Sequence, residues 1–268
     1  MAVQPPTAPG RWGDLGTRVI YGLAIAVVGL VDIVLGGVWF EILVVFAIAV
    51  MIWELWMMIA PDAPVPGMLF AVLGAAILAS VAGSDDLRYL ALFAVIPVIG
   101  LLQAPRAKIG FCLYALALQL GGWALLTFRA DFGLTFLLWI VAIVVVTDIA
   151  GYFAGRMLGG PKFWPRISPK KTWSGTVAGW IAAMIVSAGF VIWGTFAWVD
   201  VALAVLVSFA GQMGDIAESA IKRKVGVKDA STLIPGHGGL MDRFDALLGA
   251  VLFVALLAAT VGIAGLHL

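Results

Sequence analysis

The chain has 268 residues, 63% of them hydrophobic and 12% charged, where an ordinary soluble domain carries roughly 25% charged residues. A soluble protein of this size must cover its surface with polar groups, so this composition excludes a water-soluble globule and predicts an integral membrane protein. A net charge of +1 gives no basic field for nucleic acid, and one cysteine, Cys112 in an apolar run, excludes an intrachain disulfide.

Residues 1–17 are rich in Pro and Gly and read as a flexible N-terminal segment with no cleavable signal pattern. Apolar blocks then follow at roughly 19–35, 38–60, 66–83, 87–104, 109–128, 132–153, 174–194, 198–218 and 246–266. Each approaches the ~20 residues that a helix needs to cross a bilayer core. None alternates apolar and polar positions as a barrel strand does. The expected fold is therefore all-α, one polytopic membrane domain over 1–268 with about nine transmembrane helices. Gly36-Gly37, Pro61-Asp62-Ala63-Pro64, Gly83-Ser84-Asp85-Asp86 and Pro105 punctuate the breaks. Trp12, Trp39, Trp164, Trp173 and Trp198 fall near predicted ends, where the headgroup region favours indole.

Lys and Arg orient the chain. With nine spans, fourteen fall on the side of the N-terminus: Arg11, Arg18, Arg106, Lys108, five in the loop 154–173 and five between Lys222 and Arg243. Only Arg88 and Arg129 fall on the other side. The positive-inside rule then predicts a cytoplasmic N-terminus, with loops 154–173 and 219–245 also cytoplasmic and together forming an active site.

Those two loops mix carboxylates with cations, which a simple positive anchor does not need. Asp215, Glu218, Ser219 and Lys222 are spaced i, i+3, i+4 and i+7 and so share one helix face. A salt bridge from Glu218 to Lys222 accounts for that pair but not for Asp215. Asp242 and Asp245 are again i, i+3, at the expected start of the ninth helix, where the dipole favours a carboxylate. Together with Asp215 they read as oxygen ligands for a hard cation such as Mg²⁺, with a second cation left open. With His237 and His267 the only histidines, no zinc set exists. Pro235-Gly236-His237-Gly238-Gly239 allows close backbone approach to an anion, with Lys222, Arg223, Lys228 and Arg243 around it. Ser168, Lys170, Lys171 and Thr172 stand just before the seventh helix and suit phosphate capture at its N-terminus. Asp148 is open to an ion pair with a loop cation or to a direct role. Asp32 and Glu54 read as helix-packing hydrogen bonders, and Glu41 as a residue of the outer interface.

The run Ser219, Lys222-Arg223, Lys228-Asp229, Pro235 to Gly239 and Asp242-Arg243-Phe244-Asp245 resembles, without a gap, the C-terminal signature of the phosphatidate cytidylyltransferase family, also called CDP-diacylglycerol synthases. Ile167 to Trp173 and Asp148 with Gly151-Tyr152 are similar to two further segments of that family; Ser174 departs from it, a Glu being commoner there. The N-terminal half is matched by hydropathy alone. The resemblance implies cytidylyl transfer from CTP to phosphatidate, giving CDP-diacylglycerol and pyrophosphate, at the cytoplasmic face of the inner membrane. It implies Mg²⁺ on Asp215, Asp242 and Asp245, with Lys222 and Arg223 completing the catalytic set. Substrate contacts would come from Ser168, Lys170, Lys171, Thr172, Ser219, Lys228, His237, Gly238, Gly239 and Arg243. Pairing of two copies is left open. A lipid-alcohol kinase using CTP would lack the full signature, and an anion transporter would carry its charges near the bilayer midplane rather than at helix ends.

Overall fold

A computed structural model describes residues 13–84, 86–236 and 238–261. It is an all-α polytopic membrane protein, and the described residues form nine α-helices: α1 Gly13–Leu35, α2 Gly37–Ile59, α3 Pro64–Ala82, α4 Val95–Gln103, α5 Lys108–Asp131, α6 Gly133–Met157, α7 Trp173–Ile192, α8 Trp198–Val225 and α9 Met241–Val261. Seven of these, α2, α3 and α5 to α9, are long and apolar enough to cross a membrane. The exposed surface carries Leu, Ile, Val and Phe side chains such as Leu102, Ile109, Ile185 and Phe46, which is a lipid-facing surface rather than a wetted one.

The expected spans meet these helices with three differences. First, the fourth block divides into a 3-10 segment, Leu87–Ala94, and the short α4. It is confined between Asp86, which caps it by accepting from the Arg88 amide at 2.9 Å, and Pro105, so it stays shorter than a full span. Second, α1 begins at Gly13, inside the segment expected to be flexible; hydropathy locates the apolar part of a helix, not its polar flank. Third, α8 runs 28 residues to Val225, about 42 Å at 1.5 Å per residue. That exceeds a ~30 Å hydrocarbon core, so its last turns project beyond the apolar zone. Gly226 ends it at φ 84°, the left-handed conformation that glycine adopts without penalty.

Loop 154–173 also gains structure. Lys162–Trp164 and Ser168–Thr172 pair as an antiparallel hairpin, β1 and β2, and Thr172 then caps α7 by accepting from the Gly175 amide at 3.2 Å.

Side chains at helix ends fix which ends lie together. Arg106 donates to the carbonyls of Ile59 (2.9 Å) and Met58 (3.0 Å), closing the end of α2. Arg129 does the same for α1, reaching Ile33 O at 2.7 Å. Each supplies donors to carbonyls that the helix leaves open. Trp39, Trp164, Trp173 and Trp198, expected at interfaces, are all exposed; Trp12 lies outside the described residues.

Two glycine seams bring helix backbones together. A Cβ on Gly175 of α7 would stand 2.5 Å from the Gly151 carbonyl of α6. A Cβ on Gly214 of α8 would collide with the Asp245 carbonyl, and one on Gly249 of α9 with the Ala210 carbonyl. Small residues at such crossings let helices pack at van der Waals distance where lipid offers no hydrophobic drive.

Candidate functional site

The α8–α9 seam decides where the carboxylates go. With Gly214 against the backbone of Asp245, the neighbouring Asp215 and the residue one turn on, Glu218, face Asp245 directly. Asp215, Glu218 and Asp245 each present a carboxylate oxygen, and these lie within 4.8 Å of one another. Glu218 is fully buried, and its Oε1 has no hydrogen-bond partner among the described residues. Three anionic groups so close repel strongly in a site of low dielectric. A buried carboxylate oxygen without a donor is also costly unless a cation or proton meets it. The donor set fits a hard divalent cation, which binds oxygen ligands, carboxylates among them.

Lysines border this cluster. Lys171, from β2, places Nζ 2.6 Å from Asp215 Oδ2 and 3.2 Å from the Gln212 carbonyl. The Ser219 hydroxyl donates to Asp215 Oδ1 at 3.3 Å. Lys222 is buried and donates to Glu218 Oε2 at 3.0 Å and to Asp242 Oδ1 at 2.5 Å. The expected Glu218–Lys222 pair therefore exists, within a larger network.

Asp242 is placed differently from the other two expected metal ligands. Its Oδ1 is held by Lys222, and its Oδ2 accepts from the amides of Ala230 and Gly239, both at 2.8 Å. It lies at the rim of the oxygen cluster and organises the glycine loop. Gly238, at φ 83°, passes so close that a Cβ there would stand 2.9 Å from Asp242 Oδ2, which explains glycine at that position both by conformation and by space.

Beneath the loop is Glu54, from the middle of the sequence's apolar N-terminal half. It is fully buried in α2 and accepts from the Ser231 hydroxyl (2.6 Å) and from the amides of Leu240 (2.9 Å) and Met241 (2.7 Å). These amides start α9, where a carboxylate satisfies open donors and opposes the helix dipole. Sequence reasoning left Glu54 as a packing residue, because its partners are far away along the chain. For Glu218 the sequence signal is its i+3 spacing from Asp215.

A cavity of about 380 Å³ opens beside the cluster, with Asp148, Arg156, Lys170, Lys171, Thr172 and Gln212 in its wall. Asp148 lies within electrostatic reach of Lys171 and of Asp215, while the ion pair that Lys171 makes is with Asp215. Ser168, in β2, is half-buried, whereas Lys170, Arg223, Lys228 and Arg243 are exposed at this same end. Arg223 reaches the Val227 carbonyl at 3.4 Å. Ser174, where the family commonly has Glu, bonds the Gly159 carbonyl and the Thr172 hydroxyl, tying the hairpin to α7. His237 lies outside the described residues.

Residues 16–261 match the profile described as the Cytidylyltransferase family. A phosphatidate cytidylyltransferase of Brucella suis biovar 1 (strain 1330) is 47% identical over 132 residues, which is 48% of this chain and 48% of that protein. One from Staphylococcus saprophyticus is 39% identical over 141 residues, 52% of this chain and 54% of the relative. The chain thus spans about half the length of the curated relatives it matches.

Proposed function

The chain belongs to the cytidylyltransferase family, and from that premise we infer that it transfers the cytidylyl group of CTP to phosphatidate, giving CDP-diacylglycerol and pyrophosphate for phospholipid synthesis. The observation that carries this reading is the meeting of Asp215, Glu218 and Asp245 beside Lys171 and Lys222. A lipid phosphate at headgroup level and a water-soluble triphosphate can both reach helix ends at that depth. The relatives' names supply the lipid and the cytidylyl group.

In this reaction an oxygen of the lipid phosphate attacks the α-phosphorus of CTP. A new P–O bond forms, the bond to the β-phosphate oxygen breaks, and pyrophosphate leaves with that electron pair. No protein nucleophile is needed, so the chain contributes positioning and charge. Asp215, Glu218 and Asp245 would hold Mg²⁺, with Asp242 at the rim; the ion, when bound, neutralises phosphate charge and brings both substrates to one centre. Lys171 and Lys222, now paired with carboxylates, are placed to meet phosphate oxygens as well. Lys170, Arg223, Lys228 and Arg243 draw the triphosphate toward this end. Thr172, Ser168 and Ser219 offer hydroxyls, and His237, Gly238 and Gly239 are the further proposed contacts of the nucleotide. The positive-inside rule favours a cytoplasmic position for this face, and the proposed location is the cell's inner (plasma) membrane.

The test is CTP-dependent pyrophosphate release by the purified protein in lipid nanodiscs, with and without phosphatidate, and with EDTA. Release should require phosphatidate and a divalent ion; Lys171→Ala should reduce it by about a hundredfold, and Lys162→Ala should not. Formation of CDP in place of pyrophosphate would replace this reading with a lipid kinase.

A further inference from the structure

On the membrane side of the acidic cluster, α5, α8 and α9 leave an apolar groove of about 660 Å³. Its walls include Leu113 and Ala117 of α5, Met213 and Ala217 of α8, and Leu252 and Phe253 of α9; its floor is the Gly214–Gly249 seam. The lining extends along α8 from Leu206 to Ile221, about 22 Å at 1.5 Å per residue. One leaflet of a ~30 Å core is about 15 Å deep, so the groove covers the whole depth that a chain in that leaflet occupies. The exposed side chains of Leu113, Leu206 and Phe209 form its lips, so it opens sideways to the bilayer.

One polar group in the groove lacks an explanation. Tyr114 is buried, and its hydroxyl has no hydrogen-bond partner among the described residues. That ring lies within electrostatic reach of Glu218, Asp245, Asp215 and Asp242. A buried hydroxyl without an acceptor costs free energy, and the usual remedy is a partner supplied by ligand or water. The groove's lining is apolar, and this hydroxyl in its wall lies near a cluster suited to a cation and a phosphate. That is the polarity of a phospholipid: hydrocarbon below, ester and phosphate oxygens above.

Resting on the proposed reaction, we propose that the α5–α8–α9 groove seats an acyl chain of the lipid substrate, and that the Tyr114 hydroxyl donates a hydrogen bond to an oxygen of its ester or phosphate. Phosphatidate thereby enters from the bilayer, not through the cavity walled by Lys170 and Arg156, and its phosphate is delivered to Asp215 and Asp245 from the membrane side. CTP enters from the opposite, polar side, past Lys170 and Arg156. The two substrates approach through separate mouths.

The experiment uses the full chain in nanodiscs. Tyr114→Phe keeps the ring and removes the donor; it should raise the KM for dioleoyl phosphatidate about fivefold, the order expected of one hydrogen bond to a charged or polar ligand, with the KM for CTP unchanged. Ala117→Trp fills the groove one turn deeper; it should lower kcat/KM for dioleoyl phosphatidate about tenfold or more and spare dibutanoyl phosphatidate. A phosphatidate with a diazirine midway along one chain should label peptides from 110–117 and 206–217 in the unsubstituted protein. Labelling confined to other helices, or unchanged lipid kinetics in both variants while the unsubstituted enzyme turns over, overturns the groove and leaves the reaction standing. An unsubstituted protein that releases no pyrophosphate with phosphatidate removes the parent reading, and this one with it.

Discussion

Glu54 Oε2 accepts a hydrogen bond of 2.7 Å from the backbone amide of Met241, joining the C-terminal part of α2 to the first residue of α9. The same carboxylate holds Leu240 and Ser231, so the glycine loop is fastened at both of its flanks. Asp242 and Asp245, one and four residues beyond Met241, take their positions from that fastening.

Glu54→Ala should therefore damage a site it does not touch. Three donors lose their acceptor, at about 1–3 kcal/mol for each buried group left unsatisfied. The expected outcome is a fall in thermal stability in detergent and a large loss of CTP turnover. Glu54→Gln retains one carbonyl oxygen and should recover part of both. Equal, full activity in the alanine variant would separate α2 from the positioning of α9.

Glu218 and Asp242 are distinguishable by their dependence on metal. Glu218→Gln neutralises a carboxylate whose Oε1 has no hydrogen-bond partner among the described residues, and the Mg²⁺ concentration for half-maximal activity should rise about tenfold or more, as loss of one charged ligand predicts. Asp242→Asn loosens Lys222 and two loop amides; it should abolish turnover chiefly by lowering kcat, and excess Mg²⁺ should not restore it. A metal titration of the two variants is the measurement, and identical curves would place both residues in one ligand set.

Gly214→Ala adds a methyl group and changes no charge. That methyl meets the Asp245 carbonyl and the Gly249 backbone, so α8 and α9 must separate, a strain of about 1–3 kcal/mol. Asp215 and Asp245 move apart with them. We expect an inserted, folded protein with activity reduced about tenfold or more, read against Gly189→Ala, whose Cβ would meet nothing within 4 Å.

Much of this was legible in the chain because membrane helices announce themselves by length and hydropathy, and the i, i+3, i+4 spacing of Asp215, Glu218 and Ser219 fixes a shared face whatever the tertiary fold. Lys171 near Asp215 was accessible in outline, since both lie in segments expected on one side of the membrane. Glu54 was not, because no local rule links a carboxylate in α2 to amides at the start of α9. Nor was the difference between Asp242 and Asp245. Both start the same helix, and only the approach of Lys222 and the course of the Ala230–Gly239 loop turn one toward the loop and the other toward Glu218. The hairpin at 162–172 was hidden by its two prolines, Pro165 and Pro169, and by its charges, which resemble those of any solvated loop.

The distribution of charge predicts which face of the membrane the site occupies. With Arg106 closing α2 at the site end and Arg129 closing α1 at the other, cations occupy both ends, but the site end also holds Arg156, Lys170, Lys171, Lys222, Arg223, Lys228 and Arg243. Moving so many positive groups outward across an energised membrane is disfavoured, which is the physical content of the positive-inside rule. In a Cys112→Ser background, a cysteine in place of Lys228 should resist a membrane-impermeant maleimide in intact cells and react once the membrane is opened. A cysteine in place of Arg88 should react in both. The reverse pattern would put the acidic cluster on the outer face, where no CTP is available, and would leave the proposed reaction without its nucleotide.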